Sequence, residues 1–141
     1  MRYLLDTCVV SELVKQQPDA RVVEWIDSVD DDDVYLSVIT IGEITKGIEK
    51  LAEAKRKQEL REWLRDELLA RFQGRLVVLD VEMFMLWGAL TARLETAGRK
   101  LSAIDSLIAA SALQGNFILV TRSEADFEAT GVKLFNPWKK Q

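Results

Sequence analysis

Four acidic side chains stand in this sequence at positions that suit metal-assisted chemistry. Asp6 closes a short apolar run near the N-terminus, and Asp126 lies just beyond a second apolar run at 117–120. Glu43 and Asp105 each stand three residues after a Thr or Ser, the spacing of a helix-starting capping box. If these carboxylates share one pocket, they raise one another's pKa unless a cation neutralises them. We therefore predict a shared acidic site.

The residue types that are missing narrow the chemistry of such a site. The chain has no histidine and a single cysteine, Cys8, which excludes a His-based nucleophile, a His-ligated metal and a Cys-rich zinc site. Carboxylate oxygens alone favour a hard ion, Mg²⁺ or Mn²⁺. Such an ion polarises a phosphoryl oxygen and activates water, which suits hydrolysis of a phosphodiester bond.

Each acid also has a purely structural interpretation. Asp6 suits a turn at the end of a strand, Glu43 and Asp105 suit capping boxes, and Asp126 suits the cap of a short helix. A fifth acid, Asp80, we assign to the N-cap of the helix that follows it. The run 30–33 is predicted to be a solvated turn, because it lacks the alternating ligands and the Gly of a calcium loop.

The order of the predicted elements places these acids on one edge. Strands separated by helices through most of the chain predict an α/β sandwich, with a central, mainly parallel sheet between helices. Strand C-termini and the helix N-termini that follow them share an edge of such a sheet. The apolar runs predict five strands, at 3–7, 34–38, 76–80, 117–120 and 132–135. Helices are predicted to start at Ser11, at Pro18 and Asp19, at Thr40, at Val81 and at Ser102, with a break around 53–57.

The composition is that of a single globular domain. At 141 residues the length predicts one domain, 1–141, with a substantial core. A net charge of −4 argues against a broadly basic nucleic-acid coat, although it leaves room for a local basic patch. We expect a cytoplasmic protein without membrane contact, because no signal-peptide pattern or membrane-length apolar run is present.

Taken together, these segments resemble the PIN-domain nucleases, and among them the VapC-type toxins of toxin–antitoxin pairs. The likeness covers essentially the whole chain, and its specificity comes from four segments in order. They are Leu4-Leu5-Asp6-Thr7, Ser37 through Glu43, Ser102 through Ala110, and Val120-Thr121-Arg122 through Asp126-Phe127.

The resemblance implies a fold, an activity and partners. It implies a PIN-like α/β/α sandwich and a Mg²⁺-dependent endoribonuclease in which Asp6 and Asp105 ligate the metal directly. Glu43 and Asp126 would complete the catalytic set through water. It also implies a homodimer, and a cognate antitoxin whose C-terminal segment covers the active site. Two positions depart from the family pattern, since Cys8 and Ser123 stand where Asn is common; we expect Cys8 only to pack.

Other functions remain open on the residues alone. A phosphatase using Asp6 as its nucleophile fits less well, because Cys8 stands where such sites usually place a second acid. A non-catalytic RNA- or protein-binding module on the same fold is the main alternative. The arm from Lys46 to Arg75 interleaves basic and acidic residues, which fits a solvated face of ion pairs as well as an RNA contact. The four tryptophans fit the core better than an interface.

Overall fold

The central sheet has five strands in the order β3-β2-β1-β4-β5, and every neighbouring pair is parallel. The computed structural model describes residues 1–140; Gln141, the last residue of the predicted domain, lies outside the described residues. All five predicted strands are present and the predicted α/β sandwich is confirmed. The strands are β1 Tyr3–Leu5, β2 Val34–Ser37, β3 Leu76–Val77, β4 Ile118–Val120 and β5 Lys133–Phe135.

Helices join these strands and cover both faces of the sheet. The connection between β2 and β3 contains the arm, which is largely helical and includes a π-helical stretch over Trp63–Leu68. Short 3₁₀ turns occupy Asp31–Asp33 and Glu128–Thr130. The helices are α1 Thr7–Leu13, α2 Ala20–Ser28, α3 Val38–Glu49, α4 Lys55–Glu62, α5 Leu69–Arg71, α6 Val81–Thr96, α7 Ala103–Gln114 and α8 Glu124–Phe127. No helix within residues 1–140 is both long and apolar enough to cross a membrane.

Side chains alternate between the two faces of β1 and divide the interior into two layers. Leu4 and its neighbour Leu119 pack against residues of α6 and α7. Leu5 and Val120 face the opposite way and pack with residues of α1, α2 and α3. Because both faces of β1 and β4 are fully covered, the ends of these two strands are held firmly in register.

Two predicted helix starts were wrong, and both errors lie at the site. Helix α1 begins at Thr7 and not at Ser11, because the Asp6 carboxylate caps it by accepting the Thr7 N–H. Helix α3 begins at Val38 and not at Thr40, because the Ser37 hydroxyl caps it by accepting the N–H of the second residue. At both places the backbone therefore turns from strand to helix within one residue.

The later capping predictions were correct. Asp80 accepts the Met83 N–H at 2.8 Å and starts α6 as expected. Ser102 accepts the Asp105 N–H at 3.2 Å and starts α7, which places Asp105 in the first turn of a helix whose remaining residues are largely buried. Gly98 follows α6 with φ at +71°, a conformation that glycine adopts without strain.

Charged residues in the arm pair largely with one another. Lys57 is buried and donates to the carbonyls of Glu49 and Leu51, so its ammonium group caps the C-terminus of α3. Arg61 forms a two-pronged ion pair with Glu49 at 2.8 and 2.9 Å. These contacts favour the solvated, ion-paired interpretation of this part of the arm.

Candidate active site

Asp6 lies at the C-terminal end of β1, where the sheet is most deeply covered. Its side chain is only 7% exposed. One carboxylate oxygen, Oδ1, accepts the Thr7 N–H at 2.9 Å, and the other, Oδ2, accepts the Thr121 hydroxyl at 2.8 Å. The Cys8 thiol also donates to Oδ2, at 3.7 Å. Since Oδ1 receives a single protein donor, this oxygen keeps an acceptor position for a cation.

Glu43 reaches the same end of the sheet from a neighbouring helix. It stands in the second turn of α3 and is partly buried. Its Oε1 atom accepts the hydroxyl of Thr7 at 2.5 Å. A helix-interior position, and not the predicted capping box, therefore directs this carboxylate toward α1.

Asp105 and Asp126 come from two further helices, α7 and α8. Asp105 is partly buried at the start of α7, and Asp126 is exposed within the short helix α8 that follows β4. The loop predicted to follow β4 thus contains one helical turn. Both acids stand near a strand end or a helix start on the carboxyl edge of the sheet, as predicted.

Electrostatic interactions connect the four acids into one chain. Burial raises the pKa of Asp6 most, and the nearby charges of Asp105 and Glu43 raise it further against the lowering effect of its hydrogen bonds. Burial and then the charge of Asp126 raise the pKa of Asp105, which its hydrogen bond with Ser102 opposes. Each acid is therefore within electrostatic reach of the next, and the cluster holds negative charge that would bind a cation favourably.

The donor set fits a hydrated hard cation better than a closed metal cage. Within residues 1–140, no three or more His, Cys, Asp or Glu side chains stand close enough to hold one ion together. Mg²⁺ keeps several waters and is commonly held by one or two carboxylates. The assignment of Asp6 and Asp105 as direct ligands, with the remaining acids acting through water, stays a prediction.

Three hydroxyl groups at the site were not predicted as functional. Thr121 immediately follows Val120, which is paired with Leu5, so its hydroxyl is level with Asp6 across the β1–β4 pair. Once the strand order is known, the register of β1 with β4 indicates that Thr121 lies beside Asp6. Thr7 contacts Glu43, and the buried Thr40 lies 3.2 Å from Thr7.

The two positions that depart from the family pattern have different surroundings. Cys8 does more than pack, contrary to expectation: besides its bond to Asp6, its sulfur lies 3.8 Å from the Thr121 hydroxyl. Burial raises the pKa of this thiol, which keeps it a hydrogen-bond donor to the carboxylate. Ser123 is exposed and its hydroxyl does not cap α8, while its N–H donates to Thr121 Oγ1 at 3.1 Å.

The raised pKa of Asp6 predicts a pH-dependent difference in stability between the metal-free protein and Asp6→Asn. A carboxyl group with a raised folded-state pKa stabilises the fold fully below its ordinary value of 3.8, and this contribution is lost as the pH rises through the folded-state pKa. Asparagine does not titrate. We therefore expect the stability of Asp6→Asn relative to the unsubstituted protein to increase as the pH rises above the ordinary value of 3.8 and through the folded-state pKa of Asp6.

Urea unfolding in a chelating buffer at several pH values measures this difference. Asp32→Asn, a change at an exposed acid in the 3₁₀ turn, is the matched control and should show much less pH dependence. An Asp6→Asn difference that stays constant with pH would contradict the assignment.

Comparison with known proteins identifies the class to which this fold and acidic edge belong. The PIN domain family matches residues 3–133, and the chain belongs to that family, as a VapC-type member of the toxins of toxin–antitoxin systems. Toxin FitB of Neisseria gonorrhoeae is 39% identical over 135 residues, which cover 96% of this chain and 97% of that protein. VapC ribonuclease Y4jK of Sinorhizobium fredii is 35% identical over 136 residues, covering 96% and 97%.

A solved structure shows the same architecture over nearly the full length. The crystal structure of FitAcB from Neisseria gonorrhoeae superposes with a TM-score of 0.93 at 38% identity, covering 98% of this chain and 99% of that one. The family and the fold predicted from the sequence are thereby confirmed.

Proposed function

We propose that this protein is a Mg²⁺-dependent endoribonuclease, the toxin of a toxin–antitoxin pair, which hydrolyses RNA phosphodiester bonds. The observation that carries the proposal is the chain of interacting carboxylates at the carboxyl edge of the sheet, with Asp6 buried at its centre. A relative of matching length is named as a VapC ribonuclease, which supports RNA as the substrate.

Each acid has a proposed role that follows from its place. Asp6 and Asp105, the two with raised pKa values, would hold the cation, and its positive charge would favour the ionised form of both. Glu43 and Asp126 would orient water molecules at the edge of the site. A bound Mg²⁺ would supply Lewis acidity toward the phosphoryl oxygen and lower the pKa of the attacking water.

Cleavage of a defined RNA with and without Mg²⁺ or Mn²⁺ tests this function. Attack by water, and not by the neighbouring ribose 2′-hydroxyl, should leave no 2′,3′-cyclic phosphate on the products. Chelation with EDTA should stop the reaction, and adding Mg²⁺ should restore it. RNA that is bound but never cut would instead favour the alternative of a non-catalytic RNA-binding module. A protein that neither binds nor cuts RNA would favour the alternative of a protein-binding module.

An antitoxin is the proposed regulator. An open cleft of about 190 Å³ runs beside Glu43 between α1, α3 and α4, and its walls are mainly apolar. Such a cleft suits an apolar segment of a partner protein that would cover the site. Co-purification with the protein encoded beside this toxin, followed by loss of RNA cleavage when that protein is added back, would support the proposal. The cleft is lined by Thr7, Ser11, Val14, Glu43, Ile44, Gly47, Ile48, Leu51, Leu60 and Trp63.

A homodimer is also proposed, as the family resemblance implies. Several large apolar side chains are exposed near the start of α6, among them Val78, Val81 and Met85, at 64%, 73% and 66%. Large apolar side chains that are this exposed are typical of protein interfaces where they lie together on the surface. Sedimentation velocity of the purified chain at several concentrations distinguishes a dimer from a monomer.

A further inference from the structure

We propose that Thr7 is a positioning residue that sets the geometry between Asp6 and Glu43. This inference rests on the proposed nuclease function and deepens it. Thr7 contacts both carboxylates: its backbone N–H donates to Asp6 Oδ1 at 2.9 Å, and its hydroxyl donates to Glu43 Oε1 at 2.5 Å. One residue therefore joins an acid at the end of β1 to an acid on α3.

The chemistry of the groups determines the direction of these hydrogen bonds. An ionised carboxylate only accepts, so the single hydroxyl proton of Thr7 must point to Glu43. The hydroxyl of Thr7 is also placed as the donor toward the Thr40 hydroxyl oxygen, but this contact is longer, at 3.2 Å. The single proton of Thr7 therefore goes to Glu43, and the Thr40 oxygen is a weaker, competing acceptor.

The elements that hold Thr7 and its neighbour Thr40 are rigid. Thr40 is fully buried in the first turn of α3, and the Ser37 hydroxyl caps that turn. At the other end, Thr7 is the first residue of α1 and its N–H is held by Asp6. The reference points for Glu43 are therefore a helix start and a strand end that packing already holds in place.

The consequence is a defined separation between two acids that would otherwise repel each other. The charge of Glu43 contributes to the raised pKa of Asp6, so Glu43 lies close enough to oppose the ionisation of Asp6. The hydroxyl of Thr7 holds Glu43 in one orientation toward the site where the cation would bind. Groups that surround a metal site without binding the metal directly typically contribute about 10- to 100-fold to metal affinity or activity.

The test removes the hydroxyl group without changing the size of the side chain. We expect Thr7→Val to weaken Mn²⁺ binding, measured by titration calorimetry, and to lower kcat for RNA cleavage, each by about 10- to 100-fold, with KM for RNA nearly unchanged. Thr7→Ser, which retains the hydroxyl, should restore both quantities. Thr40→Val, which removes only the competing acceptor, should leave both quantities nearly unchanged, because the direct bond from Thr7 to Glu43 remains.

The matched control is Thr45→Val on the same helix. The hydroxyl of Thr45 donates to the Ile41 carbonyl at 2.8 Å and faces solvent, so its loss should leave Mn²⁺ affinity and kcat unchanged. Circular dichroism and thermal unfolding of each variant establish that the fold is retained. If Thr7→Val does not fold, Thr7→Ala, which also lacks the hydroxyl, should show the same losses.

A double-mutant cycle separates positioning from a general structural effect. In a Glu43→Ala background, Thr7→Val should cause no further loss of Mn²⁺ affinity, since its target carboxylate is gone. Full additivity, or a Thr7→Val protein within twofold of the unsubstituted protein in both readouts, would overturn the inference while the nuclease function stands. If the unsubstituted protein neither binds Mn²⁺ nor cleaves RNA, the proposed function fails and the role of Thr7 falls with it.

Discussion

Asp6→Asn should lower RNA cleavage by about 10³-fold, because a metal ligand that contributes several kcal/mol to the transition state is lost. The substitution removes the negative charge but leaves the fold intact. An asparagine Oδ1 still accepts the Thr7 N–H, and its amide group donates where the carboxylate accepted from Thr121. Single-turnover cleavage of a defined RNA, with the protein in excess, measures the change in the chemical step.

The control for this experiment is an acid of the same type elsewhere on the chain. Asp32→Asn alters an exposed carboxylate in the 3₁₀ turn and should cleave RNA at the normal rate. Asp105→Asn should resemble Asp6→Asn, because both are proposed to hold the cation. Retention of cleavage in folded Asp6→Asn protein would overturn the assignment of the site, and unfolding of that variant would overturn the account of its hydrogen bonds.

Saturating Mn²⁺ should raise the Tm of the protein by about 8 °C, the second large effect that we expect. A ligand at about 100 times its Kd stabilises a folded protein by about 2.7 kcal/mol. For a chain of this size, 1 kcal/mol corresponds to about 3 °C. The gain arises because the cation neutralises carboxylates whose burial and mutual repulsion oppose ionisation.

The same titration with Asp6→Asn distinguishes this site from weak surface binding. That variant loses a direct ligand and should shift by less than about 3 °C at the same metal concentration. Measurements at matched ionic strength with NaCl remove general screening. Equal shifts in the two proteins would place the bound metal elsewhere.

Much of the fold followed from local patterns. The strand before Asp6 was recognisable because three apolar residues lead directly to a carboxylate, and the strand ending at Val120 was recognisable as an apolar run that stops at a polar residue, Thr121. Asp80 and Ser102 were identified as caps because a capping side chain acts within three residues of itself. Such signals are encoded in neighbouring residues and need no knowledge of distant ones.

The helix starts beside the site were misread for a related reason. Asp6 directly follows β1 and Ser37 is the last residue of β2, and each also caps the next helix, so no separate loop marks the boundary. The pattern Thr40-x-x-Glu43 has the spacing of a capping box, but the helix begins before Thr40. Two local signals competed at each position, and the abrupt strand-to-helix turn prevailed because strand pairing fixes where the strand ends.

By itself the sequence determined the elements, the acidic residue types and, through the lack of histidine, the restriction to oxygen chemistry. Only the tertiary structure decided that Thr121 is level with Asp6 and that Thr7 links Asp6 to Glu43. Those contacts join residues separated by 115 and 36 positions. Their existence depends on strand order and register, which arise from packing the whole sheet between two layers of helices and not from any single segment.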